Sequence, residues 1–489
     1  MSRLHALLLA GAAACAVGPD FRRPDPPPIT RYGTRQPERT LTAGGTAQIV
    51  RAGQQLAAAW WELFRSAQVD ALVHAALAHN ASLQVARANL KRSEYLMRAG
   101  YGVFYPQLDA RASPSRQRFN PAQFGSTQPA SVFNLYTLGG TISYTLDVFG
   151  GQRRSVEALR AQLDVQCYSL AAARLTVTSN VVNTAIARAG YAEAITASEE
   201  LVKALREQVG IAKIQFEAGT AAYAPVLSLE AQLGSTAATI PPLRQRLAQS
   251  ESLLATLVGG NLANTPLPAL RLADLTLPQE LPVVLPARLV RQRPDVLIAE
   301  ATLHVSTANV GVATAALFPT ITLQGSVGAN SSSLPDLLSP SSFVWNLAAN
   351  ILAPIFHGGT LTNQRKAAIE AHRASLASYR DTVLAAVSNV EVSLSALVHD
   401  AELVVENDRA LTAASGARDL LVANYRAGLA NYLDVLTADV QYHRARITSI
   451  EARTQRLQDT VALFVAVGGG WSTSGEVPCA AIAANPPAR

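Results

Sequence analysis

The chain has 489 residues, 49% hydrophobic and only 16% charged, with a formal net charge of +6. Such a balance is more apolar than a soluble chain of this size carries, so the protein buries, or shows to lipid, unusually much apolar surface. The positive charge is spread thinly, without a lysine and arginine cluster interleaved with aromatics, which argues against nucleic acid as a partner, and cysteines at 15, 167 and 479 have neither metal-ligand spacing nor the even count of a disulfide framework.

Residues 1–14 carry Arg3 and His5, then Leu7-Leu8-Leu9, then small residues up to Cys15. This predicts a short export signal, not a membrane span. Ala12-Ala13-Ala14-Cys15 looks like a bacterial lipobox, in which cleavage before Cys15 frees a cysteine for acylation and each buried methylene adds about 0.8 kcal/mol of anchoring. The competing reading is an ordinary signal in which the cysteine is incidental. Residues 15–59 form a lead whose proline-rich opening predicts extended chain wrapping a surface rather than entering a core.

Trp60-Trp61-Glu62-Leu63-Phe64 opens a first unit, residues 60–260, with Leu72, Ala76, His79 and Leu83 at helical spacing. His74 and His79 read as helix-surface residues, since nothing pairs them with a third metal ligand. After Pro106 the period changes to two, predicting strands at about 107–119 and 133–148 around a Gly, Asn and Pro-rich turn. A long helical stretch, about 152–258, follows. Its returning half is interrupted at Pro241-Pro242, which predicts a kink.

A proline-rich linker, 261–290, leads to a second unit, 291–470, with strands at about 320–330 and 342–353 and long helices at about 360–468. Val383, Val387, Val390, Leu394, Leu397, Ala401 and Val404 recur at spacings of four and three, the seam of a coiled coil. The first unit has alanine and threonine at many seam positions and a weaker pattern. Gly428 predicts a left-handed helix cap at which the chain turns back, after a rod of roughly 100 Å. Residues 471–489 are expected to be a disordered tail.

The two units repeat one another at a separation of roughly 210 residues. Gln215 to Leu233 aligns with Asn424 to Tyr442 at Ala-Gly, Tyr and Val-Leu; Phe104-Tyr105-Pro106 answers Leu317-Phe318-Pro319; and Val148-Phe149-Gly150-Gly151 answers Ile355-Phe356-His357-Gly358-Gly359. Each strand is long enough to cross a bilayer when tilted, which takes about 9 to 11 residues, and Tyr136, Phe343 and Trp345 sit near strand ends as in an interfacial girdle. Four strands cannot close a barrel, and an open edge in lipid leaves backbone groups unsatisfied. Several protomers must share one barrel, and three, supplying about twelve strands, leave room for an aqueous lumen.

The fold expected is therefore mixed but mainly α: long antiparallel coiled-coil helical hairpins plus four transmembrane β-strands per protomer, in two internal repeats, with a trimer forming a 12-strand β-barrel and an α-helical barrel. No phosphate loop, His-Glu-x-x-His motif, calcium loop or nucleophile elbow occurs. A passive duct is favoured over an enzyme, and no cofactor beyond a covalent lipid on Cys15 is expected. A helical envelope scaffold without a pore is the rival from another class.

The chain resembles the outer-membrane efflux protein family, the TolC-like tunnels, and its lipoprotein branch of OprM and NodT type. The likeness is carried by Cys15 with Gly18-Pro19-Asp20-Phe21-Arg22-Arg23-Pro24, Trp60-Trp61 with Phe64, Arg293-Pro294-Asp295-Val296 with Ala299-Glu300, Phe318-Pro319, and Ala427-Gly428 with Tyr432-Leu433-Asp434-Val435-Leu436. It implies an outer-membrane homotrimer with a helical tunnel in the periplasm, docked at its tip to a periplasmic adaptor protein and an inner-membrane efflux pump of the resistance-nodulation-division type. It implies small-molecule efflux, with type I protein secretion as the variant. The tip residues it points to are Ala218, Gly219 and Tyr223 in the first unit and Ala427, Gly428, Asn431, Tyr432 and Asp434 in the second. Relatives often carry an aspartate before the Asn-Tyr pair; this chain has Ala430, so Asp434 reads equally as a gating acid or as a helix-start acid.

Overall fold

A computed structural model describes residues 16–25, 28–29, 31–32, 38–125 and 127–471; the expected export signal, Cys15 and the tail beyond Trp471 lie outside them. In chain order the elements are β1 (Ile49–Ala52), a 3-10 turn (Trp60–Phe64), α1 (Ala67–His79), α2 (Ala81–Gly100), β2 (Gln107–Phe119), β3 (Ser131–Leu146), α3 (Gly151–Glu217), α4 (Ala224–Ala237), α5 (Ile240–Leu257), β4 (Glu280–Val283), α6 (Pro286–Leu289), α7 (Pro294–Ala315), β5 (Thr320–Ser331), β6 (Phe343–Leu352), α8 (Thr360–Arg426) and α9 (Tyr432–Ala466).

The duplication is visible in backbone geometry. Gly150, Gly219 and Gly259 have positive φ, and so do Gly359, Gly428 and Gly468, each 209 positions further on (428 less 219). Between the first two of each set run α3 and α8, both 67 residues long and thus about 100 Å. The returning halves differ. α9 is one helix of 35 residues, whereas Pro241 and Pro242 sit at the start of α5, and their lack of amide hydrogens divides that return into α4 and α5.

The seam of the second unit is buried along its whole length, from Val383 to Val404. The first unit reverses the expectation that its seam is the weaker: α3 buries far more residues than α8, many of them Ala, Ser and Thr. Small residues there let neighbours approach on several sides, and Gly190, with Thr454 of α9 against it, marks one such close approach. α8 instead leaves Leu384, Val392, Leu403 and Leu420 at least half exposed.

The four long strands form one antiparallel sheet in the order β2-β3-β5-β6. Its register sets Leu108 opposite Ile142, Ala112 opposite Leu138, Leu138 opposite Ala329, Tyr144 opposite Leu323, Val327 opposite Trp345 and Ile321 opposite Ile351. One face is therefore apolar from the helix end of the sheet as far as the row of Pro114 and Tyr136. On the other, Asp109, Thr141, Ser326 and Asn346 share a row, as do Thr145, Thr322 and Asn350. A slip of one residue would mix the two faces, so the pattern pins the register. Among the described residues no second layer covers the apolar face: Trp345, Leu347 and Ile351 are each more than 70% exposed.

The main core lies where the middle of α3, the middle of α8 and the end of α9 meet α1, the lead and the linker. Trp60 and Phe64 pack on Phe464 with ring centroids 5.7 and 6.3 Å apart, joined by Leu281, Val283 and Leu289. This corrects the expectation that the lead stays out of the core. Tyr32 and Leu56 are buried in it, the Tyr32 hydroxyl donates to the Val284 carbonyl at 2.7 Å, and β1 pairs in parallel with β4. Strands of four residues are too short for their alternation to register in sequence. Cys167 is buried and disulfide-bonded, although the odd, scattered cysteine count argued against a disulfide framework. Trp471, the first residue of the expected tail, is held by a 2.6 Å bond from its indole nitrogen to the Gln292 carbonyl.

Candidate functional site

Two regions carry function-like geometry, the turns at the far ends of the long helices and the junction between sheet and helices. At the first turn, the Gly219 amide donates to the Phe216 carbonyl at 2.9 Å and the Thr220 amide to the Gln215 carbonyl at 2.9 Å; at the second, the Gly428 amide donates to Tyr425 at 3.0 Å and the Leu429 amide to Asn424 at 2.8 Å. Both are Schellman endings, which require a left-handed residue that glycine adopts without strain. Ala218 and Ala427 are the C-cap residues before them, still in right-handed backbone. Across each turn two rings meet: Phe216 with Tyr223 at 4.9 Å, and Tyr425 with Tyr432 at 5.4 Å.

The starts of the returning helices differ. The Asn431 side chain accepts from the Asp434 amide at 2.9 Å while the Asp434 carboxylate accepts from the Asn431 amide at 3.2 Å, a reciprocal capping box. Asp434 is thereby occupied as a helix-start acid. The first unit has Ala222 and Pro225 at these places and no side-chain cap. Leu429, at the very end of the second hairpin, is 79% exposed.

The two hairpins are braced against each other by residues with no motif of their own. The Tyr432 hydroxyl donates to Glu207 Oε2 of α3 at 3.1 Å. Partial desolvation, and then the Glu207 carboxylate that accepts this hydrogen, push the phenol above its ordinary range. Further along the same seam, Glu200 accepts from Arg446 and lies 3.4 Å from His443 Nδ1, and Asp439 flanks the other ring nitrogen at 3.4 Å. Within the first hairpin Lys213 meets Glu230 at 2.6 Å, and the carboxylate raises the lysine's pKa. Glu200, Glu207 and Arg446 could not be found from sequence, because each partner lies in the other unit or on another helix.

At the opposite end the lead is strapped to the start of α3. The Val17 amide donates to the Phe149 carbonyl at 3.0 Å. The buried Arg154 reaches Asp20 at 2.6 Å and Glu157 at 2.7 Å, Phe21 stacks on His304 at 4.2 Å, and Arg23 meets Glu300 at 2.6 Å. Gly18 has φ +93°, and a Cβ there would lie 2.5 Å from Gly311 Cα, so two backbones touch where no side chain fits. Residue 16 thus sits beside the turn that follows β3, level with the end of the sheet. Arg293, of the Arg-Pro-Asp motif, bonds the Ala466 carbonyl at 2.8 Å and Asp295 at 2.7 Å, tying the end of α9 to the start of α7.

Residues 72–260 and 285–469 match a family model described as outer membrane efflux protein. The chain is 29% identical over 436 residues to the pyoverdine export outer membrane protein OpmQ of Pseudomonas aeruginosa, across 85% of this chain and 88% of that one. It is 29% identical over 490 residues to nodulation protein T of Rhizobium leguminosarum bv. viciae, across 96% and 95%. Among solved structures, the outer-membrane channel OprN superposes with a TM-score of 0.82 at 26% identity, covering 94% of this chain and all of that one.

Proposed function

Because this chain belongs to the outer membrane efflux protein family, we propose that three copies of it join edge to edge into one duct, through which small molecules handed over by an inner-membrane pump leave the cell. The protein is the outer-membrane channel of an efflux system, with its sheet in the outer membrane and its long helices in the periplasm. One observation carries the trimer: a single-layer sheet with an exposed apolar face and two unpaired edges, β2 and β6. In lipid such edges cost several kcal/mol for each unsatisfied backbone group, and β6 of one protomer pairing with β2 of the next removes them. The polar rows of Ser, Thr, Asn and Gln then line the lumen.

The tip, with Gly219, Gly428 and the ring pairs, is the surface that meets a periplasmic adaptor, and the pump behind it is of the resistance-nodulation-division type. OpmQ is named for the export of pyoverdine; for this chain the cargo class is small molecules, chosen by the pump rather than by the wide duct. Cys15 carries the lipid anchor, an assignment supported by the position of residue 16 beside the membrane end of β3.

The test is direct. Purified protein should run as a trimer that dissociates on heating and should conduct ions in planar bilayers. A water-soluble monomer in the absence of detergent would overturn the duct. Deletion that retains a secreted protein in the cell, without raising sensitivity to drugs, would move the cargo from small molecules to proteins.

A further inference from the structure

The apolar face of the sheet does not end in water-neutral residues. On β2 the outward parity runs Leu108, Ala110, Ala112, Pro114 and then Arg116 and Arg118, opposite Asn134 and Val132 of β3. The last apolar row, Pro114 with Tyr136, carries the aromatic ring of the girdle, and the two arginines stand one and two rows beyond it, at the end of the sheet remote from the helices. Both are exposed. Neither has an ion-pair partner among the described residues, and from Ala110 to Leu146 the sequence contains three arginines and no Asp or Glu. Arg111, the third, has the opposite parity and faces the polar rows.

Uncompensated charge on the lipid side is tolerated only near an interface, where its cost falls from about 2–4 kcal/mol at the midplane toward zero. Two guanidinium groups on one strand face, two residues and so about 7 Å apart, present forked donors to anionic oxygens. The leaflet at that height, in an outer membrane, is built from phosphorylated glycolipid.

We propose that Arg116 and Arg118 form a binding site for the phosphate groups of the outer-leaflet glycolipid, repeated on each protomer around the barrel. This rests on the reading that the sheet faces lipid. The remaining arginines of the described sheet region, Arg111 and Arg153, face the polar rows or pair with Asp147.

The experiment uses the purified full-length protein in detergent with two probes, bis-phosphorylated lipid A and the same lipid stripped of its phosphates, and reads bound lipid by native mass spectrometry. The wild type should prefer the phosphorylated lipid by about tenfold or more. The double variant Arg116→Gln, Arg118→Gln should lose that preference, and Arg116→Lys, Arg118→Lys should keep part of it, with heat-dissociable trimers and bilayer conductance unchanged in all three. Equal binding of the two lipids by a wild type that inserts and conducts would overturn the lipid site alone, as would full preference retained by the glutamine variant. Failure of the wild type to insert would overturn the membrane sheet and the lipid site together.

Discussion

Tyr432 and Glu207 lie 225 residues apart in sequence, and the phenol hydroxyl of the first is bonded to the carboxylate of the second at 3.1 Å. The bond joins the start of α9 to α3, so it ties the second hairpin to the first close to the tip. Any widening of the tunnel end by rotation of α8 and α9 away from α3 must break it. Tyr432→Phe removes the donor while keeping the ring that packs on Tyr425. A charged hydrogen bond at this exposed place contributes about 1 kcal/mol, so a several-fold shift toward the open state is expected. Single-channel recordings should show higher mean conductance than wild type; identical records at equal insertion would show that this bond does not hold the tunnel end closed.

Gly219 and Gly428 have φ of +72° and +75°, and nothing lies within 4 Å of a Cβ built at either. Substitution there is penalised by backbone strain and not by a clash, at about 1–2 kcal/mol. Gly428→Leu should impair efflux by disturbing the tip, while insertion and trimer formation remain normal. Gly428→Asn, which tolerates the left-handed region better, should be milder. Wild-type drug tolerance for Gly428→Leu, at normal expression in a strain lacking the native protein, would count against the tip as the docking surface.

At the membrane end, Gly18→Ala introduces both a strained φ and a Cβ 2.5 Å from Gly311 Cα. The expected result is release of the lead from α3 and α7, with trypsin cutting after Arg22 well before the helical body is attacked. Arg154→Met should act in the same direction, since Arg154 bonds Asp20 and the Val17 carbonyl. Time courses of digestion check this, and unchanged cutting in both variants would show that the strap is held elsewhere.

Asp400 of α8 is buried, and one of its carboxylate oxygens lacks a hydrogen-bond partner. Burial, then the hydrogen bond and charge of Asp459 of α9, push its pKa up to about 7, with Arg456 partly opposing. In the unfolded chain the value is about 4. The folded state therefore holds a proton that the unfolded state has lost between those values, and stability falls as pH rises from about 4 through about 7, then levels off. The gap corresponds to no more than about 4 kcal/mol, and to less where two carboxyl groups share the proton. Asp400→Asn should be more stable than wild type at pH 8 and show a flatter pH dependence. Thermal unfolding at pH 5 and pH 8 decides it: equal slopes for the two proteins would leave Asp400 out of the linkage.

Much of the architecture is legible in the sequence. The alternation of Leu138, Gly140, Ile142 and Tyr144 with small polar residues, and the absence of proline across α8, are local patterns, and local patterns survive in a single sequence because neighbours on one face share one environment. Glycine at 219 and 428 was readable for the same reason, since a helix ending in a left-handed turn constrains one residue's backbone. The capping role of Asp434 was half legible: its spacing from Asn431 suits a box, but only the reciprocal bonds separate that role from a gating acid.

Tertiary structure alone decided what joins the parts. The pairing of β1 with β4, the bond from Tyr432 to Glu207, the burial of Arg456 against Gln48 and the Ala43 carbonyl, and the outward parity of Arg116 beside Asn134 all connect segments that carry no shared local signature. A periodic stripe states that a helix has a buried side; it does not state against which of several similar helices that side lies. Apolar contact is non-directional, so the sequence by itself determined the elements and their faces, and the polar bonds made after those faces met determined which hairpin touches which.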